Sequence, residues 1–198
     1  AKIPPWGAIK LHQFTSLKGQ LLVSLPTMQG DYFSQTVTLL VEHNNDGAFG
    51  LIVNRPLNAN LGELLADHNE FNFASDLIGI VPLLETGPVD QNRLFFLHSN
   101  ETGVGDSVAI NEEISLSTSP NLLRNVSRHQ GPAEIIAGLG YAGWSSGQLE
   151  NEIKSNVWLL TPYVHEAVFN SSYKDRPQIA ANSIGIDLNL IAPTPGHG

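Results

Sequence analysis

The alternation of apolar and polar positions divides the chain into short strands, turns and a few helical stripes. GQLLVSLPT (19–27) is a compact apolar run closed by Pro26, and QTVTLLVEH (35–43) is rich in β-branched residues, so both predict strands. NNDGAFG then supplies turn chemistry, and LIVNRP (51–56) predicts another strand closed by Pro56. The segments on either side of that turn predict a hairpin with Asp46-Gly47 near its tip. LLETGPV (83–89) and RLFFLHS (93–99) read as strands around a turn at Gly87-Pro88, and SVAINEEISLSTS (107–119) as a second hairpin. EIIAGLGYA (134–142) is an apolar strand whose small residues admit close backbone approach. VWLLTP (157–162) predicts a further strand.

Helical signals fall between these strands. In NLGELLADH, Asn60 and Glu63 have capping-box spacing, and Leu61, Leu64 and Leu65 form a stripe. Ser119-Pro120 predicts an N-cap and first helical residue, with the helix running from 120 to about 129 and stopping before Gly131-Pro132. Another helix is expected after Ser145, one near HEAVF (165–169) and one near QIAAN (178–182). Residues 69–82 carry no clear period. Hairpins mixed with helices predict an α+β fold with a mostly antiparallel sheet; an alternating α/β sheet is the second choice. Residues 1–18 read as an irregular lead-in, and 19–198 as one domain.

Composition narrows the function classes. The chain has 198 residues and no cysteine, which excludes disulfides and thiolate chemistry. No apolar run nears the ~18 residues of a membrane span. The start holds two prolines and no continuous apolar core, so no signal peptide is expected and the default reading is cytoplasmic. The net charge is -9 and the ten basic residues are scattered, with Arg124 and Arg128 the closest helical pair. Nucleic-acid binders concentrate such residues against phosphates, so direct DNA contact is disfavoured.

The most specific chemical pattern is Gly143-Trp144-Ser145-Ser146-Gly147, which fits the G-x-S-x-G nucleophile elbow. Asp175 or Asp187, and His165 or His197, follow in hydrolase order. The competing reading makes Ser145 an N-cap whose hydroxyl accepts from the Gln148 amide, while Gln148 reaches back. Leu149, Ile153 and Val157 then form the buried stripe, and Glu150 and Lys154 an ion pair. On that helix Glu150 turns toward the sheet and Glu152 toward solvent, so neither is a good catalytic candidate. The capping reading accounts for more residues. The seven histidines lack H-x-H and H-x-x-x-H spacing, so no local metal motif exists. His43 and His98, together with Asp31, could form a metal or acid–base site, but strand-end residues bonded to loop carbonyls are the preferred reading. The stretches NNDGAFG, ETGPV and GYAGWSSG could cradle an anion, although tight turns explain them as well. None has a Walker lysine or a full G-x-G-x-x-G, so no cofactor is expected. Trp144 is either a core plug or one wall of a pocket, the former preferred.

Together, GQLLVSLPTM, HNNDGAFGLIVNRP, ETGPVDQNRLFFLHS and LGYAGWSSGQLENEIKSNVWL resemble the AlgH/YqgE family of bacterial proteins, over about residues 19–160. The resemblance implies a compact α+β domain with a bulged, curved sheet in a cytosolic protein. It implies no established activity; the family often carries a transcriptional-regulator label without a recognised DNA-binding motif. In the family pattern the two positions between Trp144 and Gly147 are not fixed, which argues against a nucleophile there. Asn54, Arg55, Pro56, Gly87, Pro88, His98, Gly143, Trp144, Gly147 and Gln148 do match the pattern. Thr86 stands where the family usually has glycine. The expectation is therefore a non-enzymatic binding or regulatory protein. Its surface would form where Asn54-Arg55-Pro56, Gly87-Pro88 and Gly143–Gln148 converge. Arg55 would hold an anionic ligand or a partner protein's carboxylate, and Trp144 would add apolar contact. A serine hydrolase using Ser145 is the alternative.

Overall fold

The computed structural model describes residues 14–28, 30–66, 76–100 and 107–191. Residues 69–75 of the segment without a period, together with His12, His68 and His197, lie outside the described residues. The predicted strands form β1 (Leu21–Ser24), β2 (Val37–Asn44), β3 (Gly47–Ile52), β4 (Leu83–Glu85) and β5 (Val89–Ser99). They continue with β6 (Ser107–Ala109), β7 (Ile114–Ser117), β8 (Ile135–Ser145) and β9 (Trp158–Thr161). The helices are α1 (Leu61–Ala66), α2 (Asp76–Gly79), α3 (Leu122–Ser127), α4 (Gln148–Lys154) and α5 (Arg176–Asn182). The fold is α+β, as expected. One sheet runs β6-β7-β5-β8-β3-β2-β1-β9, with β4 pairing β8 off that path.

Strand β8 is the spine. It pairs antiparallel with β5 along one side and with β3 on the other, and β4 joins it in parallel. To reach both sides of β8, the chain at Thr86-Gly87-Pro88 crosses over its backbone. A Cβ on Gly87 would overlap the Tyr141 carbonyl group, and one on Gly140 would overlap the Gly87 oxygen. Gly140 also has φ +81, a conformation glycine adopts without steric cost. Thr86 donates its hydroxyl to the Gly140 carbonyl and packs over Gly138. It is absent from the positive-φ residues, so the crossing does not need glycine at 86.

Both faces of the central strands are covered, which is why their sequences are nearly continuous apolar runs. Leu21, Val23, Leu39, Leu51, Phe95 and Ala180 belong to one cluster. Leu22, Leu40, Trp144, Leu149 and Trp158 form another beneath α4. A third joins α1, α2 and α3 to Phe96 and Ala137. Each fully buried large side chain here contributes about 1.5–3 kcal/mol.

Several boundaries differ from expectation. The hairpin β2–β3 closes at Asn44↔Gly47, so the glycine-rich stretch already belongs to β3. Residues 53–56 leave the sheet except for a bridge between Pro56 and Leu84. Helix α3 starts at Leu122, and Ser119 accepts only the Asn121 amide, so Pro120 lies outside the helix. The HEAVF segment forms only a 3₁₀ turn, His165–Ala167. Asn60 does cap α1, accepting the Gly62 and Glu63 amides.

Candidate functional site

Strand β8 continues to Ser145, three residues beyond the expected end, and this changes the corner at residues 143–152. Ser145 is a strand residue paired with Gly47, and the N-cap of α4 is Gly147, in the left-handed conformation at φ 77. Half of the expected capping box exists: the Gln148 side-chain oxygen accepts the Ser145 amide at 3.0 Å. The other half is reversed, because the Ser145 hydroxyl donates to that same oxygen at 3.3 Å. Among the described residues no imidazole bonds this hydroxyl. The nearest histidine chemistry is His43, whose Nδ1 accepts the Leu17 amide at 2.9 Å and whose Nε2 meets Glu150. Both ring nitrogens are therefore occupied. Glu150 pairs with His43 instead of Lys154.

The expectation that Glu152 faces solvent is also corrected. Its Oε1 accepts the indole N–H of Trp144 at 3.1 Å and of Trp158 at 2.9 Å, and its Oε2 accepts the Gln148 amide at 2.8 Å. Phe33 closes over the two indoles, 6.4 Å from Trp144 and 5.5 Å from Trp158. Trp144 is thus a core plug. A Cβ on Gly143 would meet only the Tyr141 ring, at an ordinary contact distance of 3.6 Å, so close packing does not explain this glycine.

Of the three expected surface elements, two converge. The 52–56 segment runs beside 84–86 through the Ile52 amide to Thr86 and the Glu85 amide to Arg55. The 143–148 corner pairs with the opposite end of β3, roughly 25 Å of chain from Arg55 at ~3.3 Å per residue. Asn54 accepts the Val37 amide and donates to the Gln35 carbonyl, both at 2.9 Å. Arg55 donates to the carbonyls of Tyr32 and Ser34 and lies 4.6 Å over the Tyr32 ring. Gly87 and Pro88 form the crossing described above. His98 is buried in β5, donating Nδ1–H to the Ser99 carbonyl at 3.0 Å and accepting the Ser117 hydroxyl at 2.9 Å. It lies beside Ile135, whereas His43 aligns through Ala48 with Trp144 at the other end of β8. The two histidines share no site.

A different region combines polar groups with open volume. A cleft of about 490 Å³ lies between α2, α3 and the 169–176 segment. Leu77, Ile80, Val81, Val126 and Phe169 make its apolar walls. Ile80 is 75% exposed. Glu134, just before β8, is fixed by its backbone to Ser99, through Ser99 N–H to Glu134 O at 3.0 Å and Glu134 N–H to Ser99 Oγ at 3.1 Å. Its Oε1 accepts from His165 Nε2 at 2.5 Å, and its Oε2 from Asn170 Nδ2 at 2.6 Å. His165 Nδ1 meets the Tyr163 hydroxyl at 2.8 Å. Burial pushes the Tyr163 phenol above the usual tyrosine range, and the charges of Glu113 and Glu134 act in the same direction. The carboxylate oxygen of Glu134 can only accept, so Nε2 of His165 carries the hydrogen of that bond. His129 lines the cleft from the left-handed position that closes α3, at φ 59. The Gln130 amide bonds Asn125 O and the His129 amide bonds Val126 O, the pattern that most often carries glycine there.

Arg176 forms the floor. It is 3% exposed and gives its N–H groups to the carbonyls of Val53, Val168, Phe169 and Ser171. Tyr173 stacks 4.4 Å from its guanidinium. Burial lowers its pKa from the usual arginine value, with Tyr173 opposing. Sequence reasoning missed Glu134, Tyr163, Asn170 and Arg176, and assigned His165 only to a triad or a helix start. These residues are brought together by tertiary packing, and no local spacing announces them. Among the described residues, no cluster of three metal-ligating side chains occurs and no helix is long and apolar enough to cross a membrane.

Comparison with known proteins places this arrangement in a family. The chain is 43% identical to a UPF0301 protein of Pseudomonas putida, covering 91% of this chain and 95% of that one. It is 35% identical to one from Colwellia psychrerythraea, covering 92% and 99%. The solution structure of the AlgH protein from Pseudomonas aeruginosa superimposes with TM-score 0.75 at 35% identity, covering 94% of this chain and 98% of that one. A crystal structure of a Corynebacterium diphtheriae protein, DIP2367, shares the fold at TM-score 0.64 and 16% identity, over 85% and 93% of the two chains. A family model described as DUF179, AlgH-like, matches residues 21–189, and the chain belongs to this AlgH-like family.

Proposed function

We propose that this chain is a non-catalytic binding protein and that its site is the Glu134 cleft. The observation that carries the reading is the contrast in that cleft between apolar walls and one carboxylate held in place by His165 and Asn170. A concave, mostly apolar site with a few oriented polar groups is the usual form of a small-molecule pocket. The anionic-ligand reading rested on Arg55, whose guanidinium faces the Tyr32 and Ser34 carbonyls. The regulatory label of the family fits a protein that senses a small molecule and passes the signal to a protein partner. The hydrolase alternative has no supporting geometry, since Ser145 lacks a bonded imidazole among the described residues.

The test is two-dimensional NMR with 1-hexanol as a neutral apolar probe. Shifts are expected at Ile80, Val126 and Ile136, and Ile80→Glu should abolish them, since Ile80 is exposed and its replacement leaves the core intact. Absence of shifts, or shifts centred elsewhere, would overturn the reading.

A further inference from the structure

We infer that the cleft selects a ligand with an apolar body and an ammonium head, which Glu134 receives. The inference rests on the binding reading above and adds the chemical class.

The acceptors of the cleft keep bonding capacity for a ligand. Glu134 offers two carboxylate oxygens, each with one bond already made and further lone-pair capacity. Its side chain is 24% exposed, so these lone pairs are reachable. The bond from Asn170 Nδ2 to Glu134 fixes that amide, leaving its oxygen as the other acceptor. Pro82 and Pro132 line the wall and have no N–H to give.

Donors line the cleft too, His129 and Arg176 among them. Arg176 is the cleft's guanidinium, but its N–H groups already point at four backbone carbonyls. An anion there would meet a positive charge wrapped in carbonyl oxygens and could not form the paired bonds by which arginine recognises a carboxylate. Glu134 accepts from His165 Nε2, and the His165 ring is held in turn at Nδ1 by the Tyr163 hydroxyl. With one bond to each oxygen, the carboxylate keeps lone pairs for a further donor entering the cleft. The apolar walls at Val81, Val126 and Phe169 offer contact to a hydrocarbon body beside that carboxylate. An ammonium carrying a hydrocarbon chain satisfies both halves of the cleft.

Titration of the full chain with n-hexylammonium, 1-hexanol and hexanoate at pH 7.5 tests this. The ammonium should bind at least tenfold tighter than the alcohol, and hexanoate weakest. Glu134→Gln should bring ammonium and alcohol within about twofold. Asn170→Lys, at an exposed position, places an ammonium beside Glu134 within the chain and should remove the preference while leaving the fold intact. If the alcohol binds in the cleft and the ammonium no better, or if the preference survives both substitutions, the inference fails while the binding reading stands. Tightest binding by hexanoate would also overturn it. If none of the three perturbs the cleft, the binding reading itself fails.

Discussion

The corner at Ser145–Glu152 and the cleft at Glu134–His165 are built from the same kinds of group. Each holds a carboxylate on side-chain N–H donors beside aromatic rings. In the corner the donors are two buried indoles, and Phe33 closes over them. In the cleft the carboxylate and its Asn170 partner both line about 490 Å³ of open space. A motif-like sequence thus marks a corner whose indoles are buried while Ser145, Gln148 and Glu152 line a groove of about 410 Å³ with few apolar residues, whereas the apolar-walled cleft has no motif. The lesson is that polar residues at a strand-to-helix corner need a partner count before they are read as chemistry.

That contrast predicts which substitutions move stability and which move binding. The largest effect should come from Gly87→Ala, whose new methyl overlaps the Tyr141 backbone at the crossing. A loss of more than ~4 kcal/mol in urea unfolding is expected; a mild loss would mean that Gly87 is not held there by packing. Next, Glu152→Ala leaves two buried indole N–H groups unpaired and should cost about 2–4 kcal/mol, with hexanol binding unchanged. A binding change without a stability change would invert the comparison.

Smaller effects sharpen it. Ser145→Ala removes a weak bond at an exposed residue and should cost ~0.5 kcal/mol or less. Fluorophosphonate labelling that disappears in this variant would restore the nucleophile reading. One further effect is confined to alkaline pH. An unfolded tyrosine ionises near pH 10, whereas burial holds Tyr163 protonated above that range in the native chain. Above about pH 10 the unfolded state therefore binds fewer protons than the native state, and stability present below that pH falls as pH rises. Tyr163→Phe should flatten this fall in urea midpoints measured from pH 8 to 11, with the similarly raised Tyr32 retaining part of it.

Local signals in the sequence located the hairpin β2–β3, the cap at Asn60 and the Leu149–Ile153 part of the helical stripe, because each depends on neighbours within a few residues; Val157 packs against the same cluster but lies beyond the end of α4 at Lys154. The family resemblance was equally legible, since its segments are long. What was not legible depends on distant partners. Ser145 looked like an N-cap because nothing local says that β8 runs on to pair with Gly47. Glu152 lay on the solvent side of a helical wheel, yet the indole of Trp158 folds back to it. Glu134, His165 and Asn170 are joined by contacts 31 and 36 residues apart, which no periodicity encodes. Arg176 drew no reading from the sequence, because its role comes from carbonyls as distant as Val53.

The central position of β8 has a consequence for synthesis. Its partners β3, β4 and β5 all leave the ribosome before it does. At ~5–20 residues per second, β3 waits on the order of ten seconds for its neighbour. During that interval a nascent chain presents an unpaired apolar edge to every other chain in the cell, and a translational stall before residue 145 would prolong the exposure.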